Sequence, residues 1–369
     1  MPFQIIRNDI TKMETDAVVN STNREPFYGR GSDYALYLAA GAEALLTARK
    51  KIGEIAPGSA AMTKGFALPA RYIIHTVVPS YEEDASKAQK SLEACYDACL
   101  QLAKRKRLKS IAFPLLGAGT LGYPRELALS IALSCIQRFL MESEMTVWLV
   151  VFDRESVRLS EKISAGIDAY IDDHYVERRE EEEYAPKPNF NINLPGALNR
   201  DDRPSALHGA ASAHMASYAM PSAAPHEAEL PKPSAAHDSK ADHRKRTLEE
   251  LLGELDENFQ QTLMRIIRER DLDEVEVYKR ANLDRKVFSR IRSHVDYMPS
   301  RNTAIALAIG LKLNLDEARD LLSRAGFTFS PGRRADVIIE YFIENGVYDV
   351  MLIDTALFEH GEQPLSRYT

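Results

Sequence analysis

The stretch Asp16-Ala17-Val18-Val19-Asn20-Ser21-Thr22-Asn23 and the later loop Gly29-Arg30-Gly31-Ser32-Asp33 decide the fold. An apolar run that ends in polar residues and a glycine-rich loop is typical of a buried strand leading into a helix. Such a junction presents free backbone N–H groups at a helix N-terminus, which favours a bound phosphate. The pattern returns where Phe113-Pro114 precede the loop from Gly117 to Tyr123. Two such loops suit a diphosphate held between them.

Strand-like and helix-like segments alternate outward from this stretch. The strand-like segments are Phe3–Ile6, Ala17–Asn20, Tyr72–Val78, Ser110–Phe113 and Thr146–Phe152. The helix-like segments are Asp33–Gly41, Ala42–Lys51, Ala85–Lys106, Pro124–Leu140 and a helix from Glu155 toward Asp172. This alternation predicts an α/β sandwich built on a mostly parallel or mixed sheet.

The composition changes after the charge run Glu177–Glu183. Residues 176–245 are rich in Ala, Ser, Pro, Asn and His and poor in large aliphatic side chains, so they cannot bury enough apolar area to offset the entropy of ordering. We therefore predict a disordered linker there. Its histidines are irregularly spaced, which favours a solvated linker over a metal site. They are His208, His214, His226, His237 and His243.

The last part of the chain, residues 246–369, has short apolar periodicities with polar breaks. The predicted helices include Val275–Ala281, Arg285–Ser293, Asn302–Leu311, Leu315–Arg324, Asp336–Glu344 and Tyr348–Phe358. Several short helices in succession predict a compact all-α module.

Composition sets the broad class. An apolar content of 45% and a charged content of 27% are ordinary for a globular protein, and the net charge of −7 gives no general attraction to nucleic acid. Cys95, Cys99 and Cys135 lie in apolar helical patterns and are odd in number, which indicates core thiols of a reducing compartment. Without a signal-peptide pattern or a long apolar run, we expect a cytoplasmic protein with no membrane partner.

Residues 1–175 resemble a macrodomain, and most closely the MacroD-like hydrolases. The family pattern GDIT…DAIVNAAN…GGGVDGAI…AAG reappears as NDIT…DAVVNSTN…GRGSDYAL…AAG. The VIHTVGP element is matched by residues 73–79, and the FP…STGxxGYP loop by Phe113-Pro114 and Gly117–Pro124. The resemblance implies a three-layer α/β/α sandwich with a mixed sheet and ADP-ribose as the ligand.

The resemblance also implies roles for individual residues in binding. Asp9 would bind the adenine amine with Ile10 beside it, and Phe152 would stack on the adenine. The residues that would line the diphosphate loops are Gly29, Gly31, Gly117, Ala118, Gly119, Thr120, Leu121 and Gly122.

At the distal ribose the resemblance implies catalysis. Asn23 would hold a ribose hydroxyl, Asp33 would orient or deprotonate a water molecule, and Tyr123 would pack against the ribose. The implied reaction is hydrolysis of an ADP-ribosyl linkage on a protein or of O-acetyl-ADP-ribose, and it requires no metal or cofactor.

Departures from the family pattern leave a second hypothesis open. Arg30 interrupts the glycine run, Ser32 replaces a small apolar residue, and Gly117-Ala118 stand where hydrolases commonly carry Ser-Thr. Binding tolerates these changes more readily than turnover. The alternative is therefore a non-catalytic reader of ADP-ribose.

Structural roles compete with functional ones at three positions. Asp33 is also explained as the cap of the helix that starts there. Asn20 is also explained as a partner for loop backbone groups. His75, inside an apolar strand, is more typical of a hydrogen-bonded core residue than of a catalyst.

The segment Asp273–Leu322 resembles the Cro-type helix-turn-helix family. Val275–Ala281 would be the first helix, Asn282–Asp284 the turn, which lacks the usual glycine, and Arg285–Arg292 the recognition helix. Basic side chains at such a helix are suited to DNA phosphates and bases. The candidate DNA-binding residues are Arg285, Lys286, Ser289, Arg290 and Arg292. A solvated helix face, or a surface for a partner protein, explains the same residues.

Overall fold

The computed structural model describes residues 2–27, 29, 31–82, 85–152, 157, 159, 163–171 and 257–366. Arg30, the predicted linker with its five histidines and the predicted helix start at Glu155 lie outside these ranges. Among the helices described, none is both long and apolar enough to cross a membrane.

A mixed sheet forms the centre of the N-terminal part. Its strands are β1 (Phe3–Arg7), β2 (Ala17–Ser21), β3 (Ala60–Lys64), β4 (Tyr72–Thr76), β5 (Ser110–Pro114) and β6 (Thr146–Val151). They follow the order β1-β6-β5-β2-β4-β3 across the sheet. Every neighbouring pair is parallel except β3 with β4, which is antiparallel. The carboxyl ends of five strands therefore meet at one edge of the sheet.

Helices cover both faces of this sheet. They are α1 (Ser32–Ala40), α2 (Ala42–Ile52), α3 (Ala85–Arg105), α4 (Arg125–Met141) and α5 (163–171). Successive strand residues point to opposite faces. Val18 packs in the apolar cluster that includes Leu36 of α1 and Leu45 of α2. Val19 packs in the cluster that includes Leu92 of α3. The predicted α/β/α sandwich is thus confirmed.

The C-terminal part is helical, as predicted. Its helices are α6 (Phe259–Glu269), α7 (Glu274–Arg280), α8 (Arg285–Ser293), α9 (Arg301–Gly310), α10 (Leu315–Arg324), α11 (Arg334–Glu344) and α12 (Val350–Glu359). All but α11 begin after a side chain that accepts a hydrogen bond from the first turn, which stabilises a helix start. These capping residues are Asn258, Asp273, Asp284, Ser300, Asn314 and Asp349.

The C-terminal helices pack against the sheet domain within one compact unit. Helix α12 contacts both β1 and α4, and α7 contacts α4. The Tyr278 hydroxyl donates to Glu144 at 3.0 Å, and the Lys279 ammonium donates to the Met141 carbonyl at 2.6 Å. The helices therefore cover the side of the sheet that ends in the edge strand β1.

Asn282 joins the two parts at β1. Its side-chain oxygen accepts from the Phe3 N–H at 2.9 Å, and its amide nitrogen donates to the Phe3 carbonyl at 2.9 Å. The same nitrogen donates to Ser366 at 2.7 Å. The amide thus satisfies backbone groups that an edge strand otherwise leaves open. Its backbone is left-handed, with φ of 51°. This pairing explains why the turn between α7 and α8 carries asparagine instead of the usual glycine.

Replacing Asn282 with glycine should isolate the contribution of this amide. Glycine keeps the left-handed backbone but leaves the buried Phe3 groups unpaired, so Asn282→Gly should lower the unfolding free energy by about 2–4 kcal/mol. Urea unfolding of the full chain measures it.

Lys312 supplies the matched control. It is exposed, has φ of 54°, and ends its helix with the same hydrogen-bond pattern as Asn282. Lys312→Gly should leave the stability equal to or about 1 kcal/mol above that of the unchanged chain. Equal effects of the two substitutions would show that the Asn282 amide contributes nothing.

Candidate functional site

A cavity of about 310 Å³ opens at the carboxyl ends of β2, β4 and β5. Both glycine-rich loops contribute to its lining. The predicted site residues that line it are Asn23, Gly29, Gly31, Asp33, Gly117, Gly119, Thr120 and Leu121. A larger cavity, of about 440 Å³, lies beside β1 and holds none of them. The fold therefore brings both predicted loops to one site.

Asp33 lies in the wall of the cavity and is only 4% exposed. One carboxylate oxygen accepts from the Asn20 amide at 2.6 Å, and the other accepts from the Gly29 N–H at 2.5 Å. Burial raises the pKa of Asp33 above its ordinary value, although these two hydrogen bonds and the charge of Arg49 act to lower it. A carboxylate oxygen can accept more than one hydrogen bond, so a water molecule in the cavity can still bind Asp33.

Helix capping does not explain Asp33. The N-cap of α1 is Gly31, no side chain among the described residues caps this helix, and Asp33 lies in its first turn. The prediction that Asp33 caps the helix is therefore wrong. The N-terminal turn of α1 instead begins at the cavity, where Gly31 and Ser32 line the wall. Uncapped N–H groups at a helix N-terminus favour an anion.

Asn20 connects Asp33 to His75 in the buried part of the site. Besides donating to Asp33, the Asn20 amide lies 3.4 Å from Nδ1 of His75, whose Nε2 lies 2.9 Å from the Thr63 hydroxyl. Burial, and to a smaller extent the charge of Arg49, lowers the pKa of His75 to about 3, so the ring is neutral at neutral pH. His75 is a hydrogen-bonded core residue, as the sequence indicates. Asn20 bonds a carboxylate, not the loop backbone that the sequence suggested.

The second loop is shaped by Gly117 and Tyr123. Gly117 has φ of +85°, and a Cβ there would lie 2.8 Å from the Tyr123 ring. Tyr123 itself is 4% exposed, and its hydroxyl donates to the Ala88 carbonyl at 3.2 Å. The structure thus places Tyr123 beneath the loop and not in the cavity, because the ring supports the Gly117 backbone. Ala118 packs against the core, and Gly122 also has a left-handed φ, of +76°.

The residues predicted to bind adenine lie farther along the same edge. Asp9 and Phe152 follow the neighbouring strands β1 and β6, which the Asn8 N–H joins to the Val151 carbonyl at 3.1 Å. One oxygen of Asp9 accepts from both the N–H and the hydroxyl of Thr11. Phe152 is 78% exposed, whereas the Ile10 side chain is buried in the core. Three strand spacings separate β1 from β2, or about 14 Å.

Arg49 is a residue that the sequence reasoning missed. Its side chain is fully buried on α2, and it donates to the carbonyl of Asn23 at 3.4 Å. It also interacts electrostatically with Tyr37, another buried residue near Asp33. The sequence gives little signal for either, because an arginine beside Lys50 and Lys51 is typical of a solvated helix face.

The predicted DNA-contacting residues share the exposed face of α8. Arg285, Lys286, Ser289, Arg290 and Arg292 are all exposed. Arg292 forms an ion pair with Glu274 at 3.1 Å. Phe288 and Ile291 on the same helix are buried and hold it against the other C-terminal helices.

Comparison with known proteins identifies the N-terminal part. The family model of the Macro domain matches residues 19–132. A protein of Methanosarcina mazei named "Macro domain-containing protein" is 39% identical over 167 residues, which cover 45% of this chain and 89% of that protein. This chain belongs to the Macro domain family.

Two further macrodomain relatives add detail. A protein of Citrobacter rodentium named O-acetyl-ADP-ribose deacetylase is 37% identical over 166 residues, covering 44% of this chain and 94% of the relative. A solved Oceanobacillus iheyensis macrodomain with ADP is 37% identical, covers 42% of this chain and 85% of its own, and has a TM-score of 0.40.

Gly119→Ala should separate ligand binding from folding in this macrodomain. Gly119 lines the cavity, lacks a left-handed φ, and has no atom of the described residues within 4 Å of the position that a Cβ would occupy. The methyl group would stand where we expect a phosphate to approach the loop backbone. We expect stability within about 0.5 kcal/mol of the unchanged chain and an affinity for ADP-ribose lower by about tenfold.

Gly117→Ala is the contrasting variant. Its methyl group would meet the Tyr123 ring and its φ is left-handed, so it should lose stability as well as affinity. Calorimetry and thermal unfolding measure the two properties. Undiminished ADP-ribose affinity in Gly119→Ala would show that the ligand does not approach this loop.

Proposed function

We propose that this chain binds ADP-ribose along the carboxyl edge of its sheet and hydrolyses an ester at the distal ribose. The ester is an ADP-ribosyl linkage to a protein carboxyl group or the acyl group of O-acetyl-ADP-ribose. The observation that carries this proposal is the buried carboxylate of Asp33 in a cavity bounded by two glycine-rich loops. The naming of relatives as O-acetyl-ADP-ribose deacetylases supports it.

The proposed ligand lies across four strands. Adenine binds near Asp9 and Phe152, which follow β1 and β6. The diphosphate lies between the loop after β5 and the N-terminus of α1, whose N–H groups stabilise its charge. The distal ribose reaches Asn23 and Asp33 after β2. The separation of about 14 Å between β1 and β2 suits an extended molecule with two nucleoside-like ends.

In the proposed reaction, ionised Asp33 takes a proton from water as the water oxygen attacks the ester carbonyl carbon. The bond between that carbon and the ribose oxygen then breaks. The proton passes from Asp33 to the departing ribose hydroxyl, so water and the ester become a carboxylic acid and a free ribose hydroxyl. Because burial raises the pKa of Asp33, the carboxylate is a stronger base than an exposed aspartate.

A reader that binds ADP-ribose without hydrolysing it is the alternative function. It is favoured by the second loop, where Gly117 and Ala118 offer no hydroxyl groups at a place where the resembled hydrolases commonly carry Ser-Thr. Both functions require the same binding cavity. They differ only in what happens at Asp33.

We propose no second function for α8. Its exposed basic residues are also what a solvated helix face presents, and Arg292 already has an acidic partner. Binding of DNA or a partner protein stays a prediction of the sequence.

Turnover by the unsubstituted chain distinguishes a hydrolase from a reader, and Asp33→Asn tests whether Asp33 is the base. The amide keeps the size of the side chain but removes the base, so turnover should fall by about 100-fold or more. Affinity for ADP-ribose should change by less than about fivefold. The rates are measured with O-acetyl-ADP-ribose and with an ADP-ribosylated protein, and binding by calorimetry.

The control is Glu43→Gln, an exposed carboxylate on α2, which should leave both properties unchanged. If the unsubstituted chain binds ADP-ribose but hydrolyses neither substrate, the protein is a reader. Full turnover in Asp33→Asn would show that Asp33 takes no part in the reaction.

A further inference from the structure

Arg49 is a fully buried arginine that the proposed reaction does not use. Its guanidinium donates to the Gly53 carbonyl at 3.1 Å and to the Asn23 carbonyl at 3.4 Å. The described residues provide no partner for its Nε. A buried charge with an unpaired donor contributes little to the free energy of unfolding, because an apolar side chain of similar volume often stabilises a fold as well or better. A role in the site explains its presence better.

The surroundings of Arg49 point to Asp33. Burial lowers the pKa of Arg49, while the charge of Asp33 and the Tyr37 hydroxyl act in the opposite direction. In turn the charge of Arg49 favours the ionised form of Asp33. His75 is neutral in the same region, so it contributes no opposing positive charge to this pair.

The second contact of Arg49 fixes the other predicted catalytic residue. Asn23 lies in the loop after β2, where its amide nitrogen donates to the Phe27 carbonyl at a long 3.4 Å. The hydrogen bond from Arg49 to the Asn23 carbonyl, which is also 3.4 Å long, connects this loop to α2. One side chain thus contacts the Asn23 backbone and interacts electrostatically with Asp33.

We propose that Arg49 is a positioning residue of the hydrolytic site: its hydrogen bond to the Asn23 carbonyl holds the loop after β2 in place, and its buried positive charge acts on Asp33. This inference rests on the proposed function. It assigns Arg49 no contact with the substrate. Its effect passes through Asp33 and Asn23.

The test is a titration of the Asp33 carboxyl group by NMR on the full chain labelled at aspartate, with the signal assigned by its loss in Asp33→Asn. Arg49→Gln removes the charge, so the midpoint of the Asp33 titration should rise by about one pH unit or more. The pH at which the hydrolysis rate falls to half on the acid side should rise by the same amount. Lys50→Gln, an exposed neighbour on α2, is the control and should leave both unchanged.

Arg49→Lys separates the effect of the charge from that of the hydrogen bond to the Asn23 loop. It also provides a test if Arg49→Gln does not fold. A charged lysine keeps the Asp33 midpoint near that of the unchanged chain but cannot bond both carbonyl groups. Affinity for ADP-ribose should therefore fall by about fivefold to tenfold, the effect of one lost hydrogen bond.

An unmoved Asp33 midpoint in folded Arg49→Gln would overturn the proposal, as would undiminished affinity in Arg49→Lys where only that variant folds. If the unchanged chain neither binds nor hydrolyses its ligands, the proposed function fails. The titration then still shows whether Arg49 controls the charge of Asp33.

Discussion

Everything at this site depends on burying one carboxylate, that of Asp33. A buried charge is unfavourable unless hydrogen bonds and opposite charge compensate it. Strand β2 supplies the Asn20 amide, the loop before α1 supplies the Gly29 N–H, and α2 supplies the charge of Arg49. Glycine at position 29 leaves room for both site side chains, because a Cβ there would lie 2.9 Å from the Asn23 amide nitrogen and 3.2 Å from an Asp33 carboxylate oxygen. The glycine at position 29, the conformation of its loop and the buried charge of Asp33 therefore depend on one another.

A second constraint acts at the opposite side of the sheet. β1 is an edge strand, and its open backbone groups need a partner. Asn282 and α12 provide that cover, so the C-terminal helices contribute to the same compact unit as the sheet. The turn between α7 and α8 is therefore occupied by a structural contact. Its role in covering β1 follows from geometry that local sequence patterns do not contain.

The sequence predicted most of the elements and the two loops, because apolar runs and glycine junctions are local signals. It missed β3, whose residues Ala60, Ala61 and Met62 are all half-buried and show no alternation. It missed Arg49 because burial of a basic residue depends on tertiary partners. The motif includes Tyr123 but does not show on which side of the loop its ring packs.

Calorimetry of the full chain with ADP-ribose, ADP and AMP tests directly whether the carboxyl edge of the sheet binds all three parts of ADP-ribose. In the proposed binding mode, ADP-ribose alone of the three carries an adenine for the Asp9 end, a diphosphate for the loops and a distal ribose for Asn23 and Asp33. We expect ADP-ribose to bind most tightly and AMP least, with affinities at least about tenfold apart. Equal affinity for ADP-ribose and AMP, or no heat of binding with any of the three, would contradict it.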